Sequence, residues 1–146
     1  MSIPTDPPVD PRGPRFAAWV TAAVLVAVLL TGSAWLAWAQ AAVFALGAFA
    51  GLRFSPYAAF YRLAIAPRLA PDTEREAAAP VRFAQGIGFV FALTAAVGFA
   101  AGLPTLGMAA TAFALAAAGL NAVFGVCLGC EMYLRLPTRL RRALVA

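Results

Sequence analysis

The chain has no histidine and no lysine, and cysteine occurs only twice in 146 residues. Without histidine it lacks the side chain that titrates nearest neutrality and the commonest metal ligand. Nucleophilic pairs built on histidine are therefore excluded. Acids are scarce as well, six in all, with none from residue 11 to 71 and none from 77 to 130. Proton and ion pathways place ionisable groups inside a membrane bundle, so this pattern weakens a transporter reading. There is no glycine-rich phosphate loop and no pair of carboxylates inside an apolar run.

What is present is apolar. Hydrophobic residues make up 63% of the chain and the mean hydropathy is +0.84, too high for a soluble single-core domain of this size. An integral membrane protein is the reading that fits. The isoelectric point near 10.2 would suit nucleic acid, but the arginines flank apolar runs and form no basic face. They act as topology signals and headgroup contacts, and no nucleic-acid partner is expected.

Residues 1–15 hold five prolines and no apolar period, which predicts an extended arm. Apolar runs then cover residues 16–31, 34–52, 83–102 and 106–134, with turns at Gly32-Ser33 and Gly102-Leu103-Pro104-Thr105. The expected fold is all-α, a single bundle of four transmembrane helices over residues 16–136, followed by a basic tail, 137–146. A cleaved signal peptide is an alternative, since Arg12 and Arg15 precede an apolar stretch and Ala37-Trp38-Ala39 has small residues in alternation. Bulky Trp35 and Trp38 fit a cleavage region poorly, and the run continues to Leu52.

The connector, 53–82, carries five arginines, the acids Asp72, Glu74 and Glu76, and four prolines. Tyr57, Phe60, Tyr61, Ala64 and Ile65 recur at helical spacing, which predicts a short helix lying in the membrane interface. Arginines by segment number two before the first run, none in the first turn, five in the connector, none in the second turn and four after the last run. All 11 fall on one side of a four-span arrangement, which by the positive-inside rule makes both termini and the connector cytoplasmic. A faint echo joins Pro14-Arg15-Phe16-Ala17 to Pro80-Val81-Arg82-Phe83-Ala84. Each opens a pair of apolar runs, though the match is too short to establish duplication. Small residues such as Gly47, Gly51, Gly86, Gly88, Gly119 and Gly125 permit close helix approach. Gln40, Gln85 and Asn121 need interhelical partners.

Both cysteines lie in Val126-Cys127-Leu128-Gly129-Cys130-Glu131-Met132, at the end of the fourth run. A C-x-x-C pair serves dithiol exchange, soft-metal ligation or sulfur relay through a persulfide, or it merely packs. The candidate site is Cys127, Cys130, Glu131 and Arg135. On a continuous helix the thiols and Glu131 would share a face. The helix C-terminus and Glu131 would both raise the thiol pKa, with Arg135 pairing Glu131 in partial compensation, unless Gly125 or Gly129 opened the helix. Two thiolates and Glu131 supply three metal ligands, so a closed zinc site would need a fourth from elsewhere.

Residues 121–133, with Val9-Asp10-Pro11-Arg12 and Ser55-Pro56-Tyr57, resemble the DUF4395 family of bacterial membrane proteins. The resemblance runs from Val9 to about Leu136, and Cys127-Leu128-Gly129-Cys130-Glu131 is its most specific part. The family is uncharacterised and supplies no activity or cofactor. Its members are associated with thioredoxin-like and sulfurtransferase-like proteins, which implies such a partner without implying a mechanism. The expectation is a protein of the bacterial inner membrane in which Cys127 and Cys130 exchange disulfides or carry sulfur. The alternatives are transport of a small sulfur compound, a quinone-coupled oxidoreductase, and a structural subunit with packing cysteines. A homodimer is compatible with so small a bundle.

Overall fold

The computed structural model describes residues 7–71 and 74–145. Residues 1–6 of the expected arm and Asp72 lie outside them. The first helix, α1, is Arg12–Thr31, and α2 is Ala34–Ala45, prolonged by a π-helical turn, Leu46–Ala50. In the connector α3, Pro56–Phe60, continues as a π-helical turn, Tyr61–Ile65. Then come α4, Ala78–Ala100, and α5, Pro104–Phe124. Two short helices follow, α6, Leu128–Arg135, and α7, Thr138–Val145. Among the described residues the extended pairing is a single bridge, Val9 to Glu76.

Helix α1 starts earlier than the composition of the arm suggested. Pro11 occupies its N-cap and Pro14 falls in the first turn, where the missing amide hydrogen would have had no intrahelical partner. Ser33 caps α2, its hydroxyl accepting from the Leu36 amide at 3.3 Å. Among the described residues three helices are long and apolar enough to cross a membrane, α1, α4 and α5, with 20, 23 and 21 residues. The segment Ala34–Ala50 is apolar but shorter. At about 1.5 Å per residue it reaches roughly 25 Å, below the ~30 Å of a typical hydrocarbon core.

The four long segments pack in a ring, α2 along α4, α4 along α5 and α5 along α1. Alanine dominates the contacts: Ala37, Ala95, Ala96 and Ala110 with Val28 form one cluster, and Ala41 and Ala92 with Phe44 another. A methyl group on Gly88 would come within 2.6 Å of the Phe44 ring, and one on Gly98 within 2.8 Å of the Gly107 nitrogen. Close approach of this kind is what holds helices together where lipid removes the hydrophobic drive between them. Large apolar side chains turn outward instead, among them Leu30, Trp35, Phe49 and Phe113.

At one end of the bundle the two arginines of the sequence echo act reciprocally. Arg15, in the first turn of α1, donates from Nε and Nη2 to the carbonyls of Ala122 and Val123 at the end of α5, both at 3.0 Å. Arg82, in the first turns of α4, donates from Nε and Nη2 to the Ala48 carbonyl at the end of α2, at 3.3 and 2.9 Å. Each hairpin's first helix thus caps the other's second, placing a cation at a helix C-terminus where the dipole is negative.

The connector is tied down at the same end. Val9 and Glu76 exchange backbone hydrogen bonds, each 2.9 Å. Phe60 stacks on Phe16 at 5.8 Å between centroids. Tyr57 reaches into the bundle and donates to Oε1 of Gln40 at 2.7 Å. Gln40 is 1% exposed, so the polar residue in α2 finds its partner in the connector and not on another spanning helix. Burial raises the pKa of Tyr57.

Asp10 accepts from the Arg12 side chain, with Nη2 to Oδ2 at 2.9 Å, and from the Tyr61 hydroxyl at 3.1 Å. Arg12 hydrogen bonds hold its carboxyl below the usual range, with the Tyr61 hydroxyl adding to them and partial burial opposing. A lowered folded-state pKa contributes stability above the unfolded value, and that contribution is lost as pH falls through the folded value. Thermal unfolding of the purified protein should therefore lose stability below about pH 4, and Asp10→Asn should flatten that acid limb. An unchanged limb in the variant would show that this cluster does not hold the arm.

Candidate redox site

The helix expected over residues 106–134 stops at Phe124. Gly125 adopts φ 70°, in the left-handed region, which costs glycine no Cβ clash. The amides of Gly125 and Val126 close back on the carbonyls of Asn121 and Leu120 at 3.0 and 3.3 Å, the first of these being the bond of an αL stop. The chain then restarts. Cys127 is the N-cap of α6, and its Sγ accepts from the Cys130 amide at 3.2 Å. The cysteines thus lie at a helix start and not at a helix end.

Cys127 and Cys130 are joined as a disulfide, with Cα atoms 5.2 Å apart. Both are half-buried. Cys130 packs with Val9 against Leu52, Ala78 and Val81. The reason for glycine between the cysteines is packing: a methyl group on Gly129 would lie 2.6 Å from both Cα and Cβ of Ala84. Tyr133, one turn on, is buried with its ring 5.7 Å from that of Phe83. The face of α6 bearing Gly129, Cys130 and Tyr133 is thus seated on α4.

The break reverses the expected electrostatics. A sulfur at a helix N-terminus faces unpaired amides and the positive end of the dipole, which favour its anionic form. The negative end of α5 also lies close by in the chain, but Arg15 holds the carbonyls of Ala122 and Val123. Sequence reasoning missed Arg15 as a contributor to this site. The echo between residues 14–17 and 80–84 was the signal that pointed to it.

Glu131 and Arg135 line an open depression of about 440 Å³ together with Val126, Leu128 and Met132. Both are exposed, and among the described residues no ion pair joins them. Among the described residues, too, no group of three or more histidine, cysteine, aspartate or glutamate side chains is placed to hold a metal ion. Gly119, taken with the other small residues as a packing position, has open space beside it.

No curated protein and no solved structure matches the chain. The family model of DUF4395, a domain of unknown function, matches residues 9–137; the chain belongs to that family.

Proposed function

We propose that this protein is a bacterial inner-membrane component of thiol exchange, with Cys127 and Cys130 as the exchanging pair. Four segments span the bilayer in this reading, the short Ala34–Ala50 among them. The arginine-rich end faces the cytoplasm, as the positive-inside rule requires when both apolar turns carry no charge. The observation that carries the proposal is the placement of Cys127 as N-cap of α6 with Cys130 in its first turn. The partner is a soluble dithiol protein of thioredoxin-like or sulfurtransferase-like type.

In the exchange, a partner thiolate attacks Sγ of Cys127, forming an intermolecular disulfide and releasing Cys130 as thiolate. The partner's second thiolate attacks its own bridged sulfur and releases Cys127. The partner leaves as a disulfide, the two electrons stay on the cysteine pair, and the partner's two thiol protons end on Cys127 and Cys130. The α6 N-terminus stabilises each thiolate as it forms. Glu131, in the same turn, relays protons, and Arg135 balances its charge.

The test is the state of the pair in intact cells, read by alkylation with membrane-permeant and impermeant maleimides followed by mass spectrometry. Labelling by the permeant reagent alone, with a fraction recovered as disulfide, mixed disulfide or persulfide, is expected. Thiols that stay reduced and unreactive would end the proposal, and labelling by the impermeant reagent would reverse the orientation.

A further inference from the structure

The end of α5 and the start of α6 meet just before Cys127, and a third helix reaches that junction. The last four carbonyls of an α-helix have no partner within it. At the end of α5 the Asn121 carbonyl accepts from the Gly125 amide. Those of Ala122 and Val123 accept from Nε and Nη2 of Arg15, both at 3.0 Å. One guanidinium from the first turn of α1 therefore engages two carbonyls a helical turn before Cys127. The two helix ends act on that sulfur in opposite senses. The α6 N-terminus, with the Cys130 amide 3.2 Å from Sγ of Cys127, favours a thiolate there. The carbonyl end of α5 disfavours one, and a cation bound at those carbonyls offsets part of that opposition.

Other ionisable groups stand near the pair. Helix α6 packs on α4 and meets α5. Helix α5 carries no ionisable side chain, and α4 carries only Arg82, held at the Ala48 carbonyl. Helix α6 itself bears Glu131, Tyr133 and Arg135. The arm and connector bring Asp10, paired with Arg12, Arg53 beside Leu52, and Glu76 opposite Val9. It is Arg15 that is bonded to the carbonyls preceding the cysteines. We infer that Arg15 is a positioning residue of the cysteine pair: it fixes the junction of α5 and α6 and offsets the negative end of α5, so that Cys127 leaves and attacks as a thiolate. The inference rests on the proposed exchange. In the last step of that exchange the partner's second thiolate bonds to the bridged partner sulfur, and the bond from that sulfur to Cys127 breaks. The electron pair stays on Cys127 Sγ, which then takes up a proton that the partner's thiol released to water. Arg15 acts on that anion through the α5 carbonyls. In the reverse direction the same anion is the attacking sulfur.

The experiment uses the full chain in lipid nanodiscs, with Cys130→Ser as the parent so that Cys127 is its one thiol. The rate of alkylation by iodoacetamide is followed against pH, and the midpoint of that curve reads thiolate formation at Cys127. In the parent the midpoint should lie below the ordinary cysteine value of about 8.5. Arg15→Gln should raise it by about half a pH unit, the size expected for a charge at an exposed helix end. Arg15→Lys, which keeps the charge, should restore most of the difference. Arg15 is exposed, so both variants are expected to fold, and thermal unfolding is recorded beside the alkylation. An Arg15→Gln midpoint equal to the parent's, with or without lower stability, would make Arg15 a structural cap alone; that overturns the inference and leaves the exchange proposal standing. A lysine midpoint raised by about half a pH unit would do the same, and it decides the matter if the glutamine variant does not fold. A parent midpoint at or above the ordinary cysteine value would remove the inference and the exchange reading together.

Discussion

Offered an oxidised dithiol partner, reduced Cys130→Ser is expected to hold it as a mixed disulfide through Cys127, whereas Cys127→Ser should form none. The difference follows from where the two sulfurs sit. Cys127 caps the helix and is the sulfur the partner bonds to. Cys130, packed against Leu52, Ala78 and Val81, is the second sulfur, so without it the mixed disulfide can revert to oxidised partner but cannot release the partner reduced. Non-reducing electrophoresis of membranes expressing each variant, with the trapped species identified by mass spectrometry, reads the result directly. Equal trapping by both variants would mean that neither sulfur is distinguished by the helix. No trapping, together with full function of both, would return the cysteines to a packing role.

The second large effect is expected from Gly129→Ala. The added methyl would meet Ala84 Cα and Cβ at 2.6 Å, and one of those atoms is backbone, so the clash cannot be relieved by a rotamer change. Helix α6 must move off α4. Overpacking of this kind costs about 1–3 kcal/mol, and the displacement also uncovers Cys130 from the Leu52, Ala78 and Val81 cluster. Lower thermal stability and faster alkylation of Cys130 in the reduced protein should appear together. Gly119→Ala is the control, because nothing lies within 4 Å of a methyl group there. It should be neutral or stabilising by up to about 1 kcal/mol through helix propensity. If both alanine variants behaved alike, the seating of α6 on α4 would not be what holds the site.

Much of the fold was legible from composition alone, because a membrane-spanning helix is a local property of some twenty residues. The apolar runs from residues 83 and 106 correspond to α4 and α5, and the uncharged turns arise from Gly32-Ser33 and the Gly102-Pro104 stretch. The starts were read too late. Arg12, Arg15 and Arg82 look like connector in a hydropathy count, yet all three lie inside helices. An arginine in a first turn is recognised only through its acceptor, and the acceptors of Arg15 lie 107 and 108 residues away.

The site was legible in its residue types and misread in its geometry. The sequence shows the cysteine pair, its spacing, its place at the end of the last apolar run and the glycines around it. By itself it determined that the chain is apolar and helical, that no arginine falls inside an apolar run, and that both cysteines lie three residues apart in one stretch. Only the tertiary structure decided that Gly125 ends one helix and Cys127 begins another. A glycine near a helix end permits a left-handed stop without requiring one. The outcome depends on whether a restarted helix finds a surface to pack on, and here Ala84 and Phe83 of α4 receive Gly129 and Tyr133. That contact turns the pair from the negative end of a long helix to the positive end of a short one.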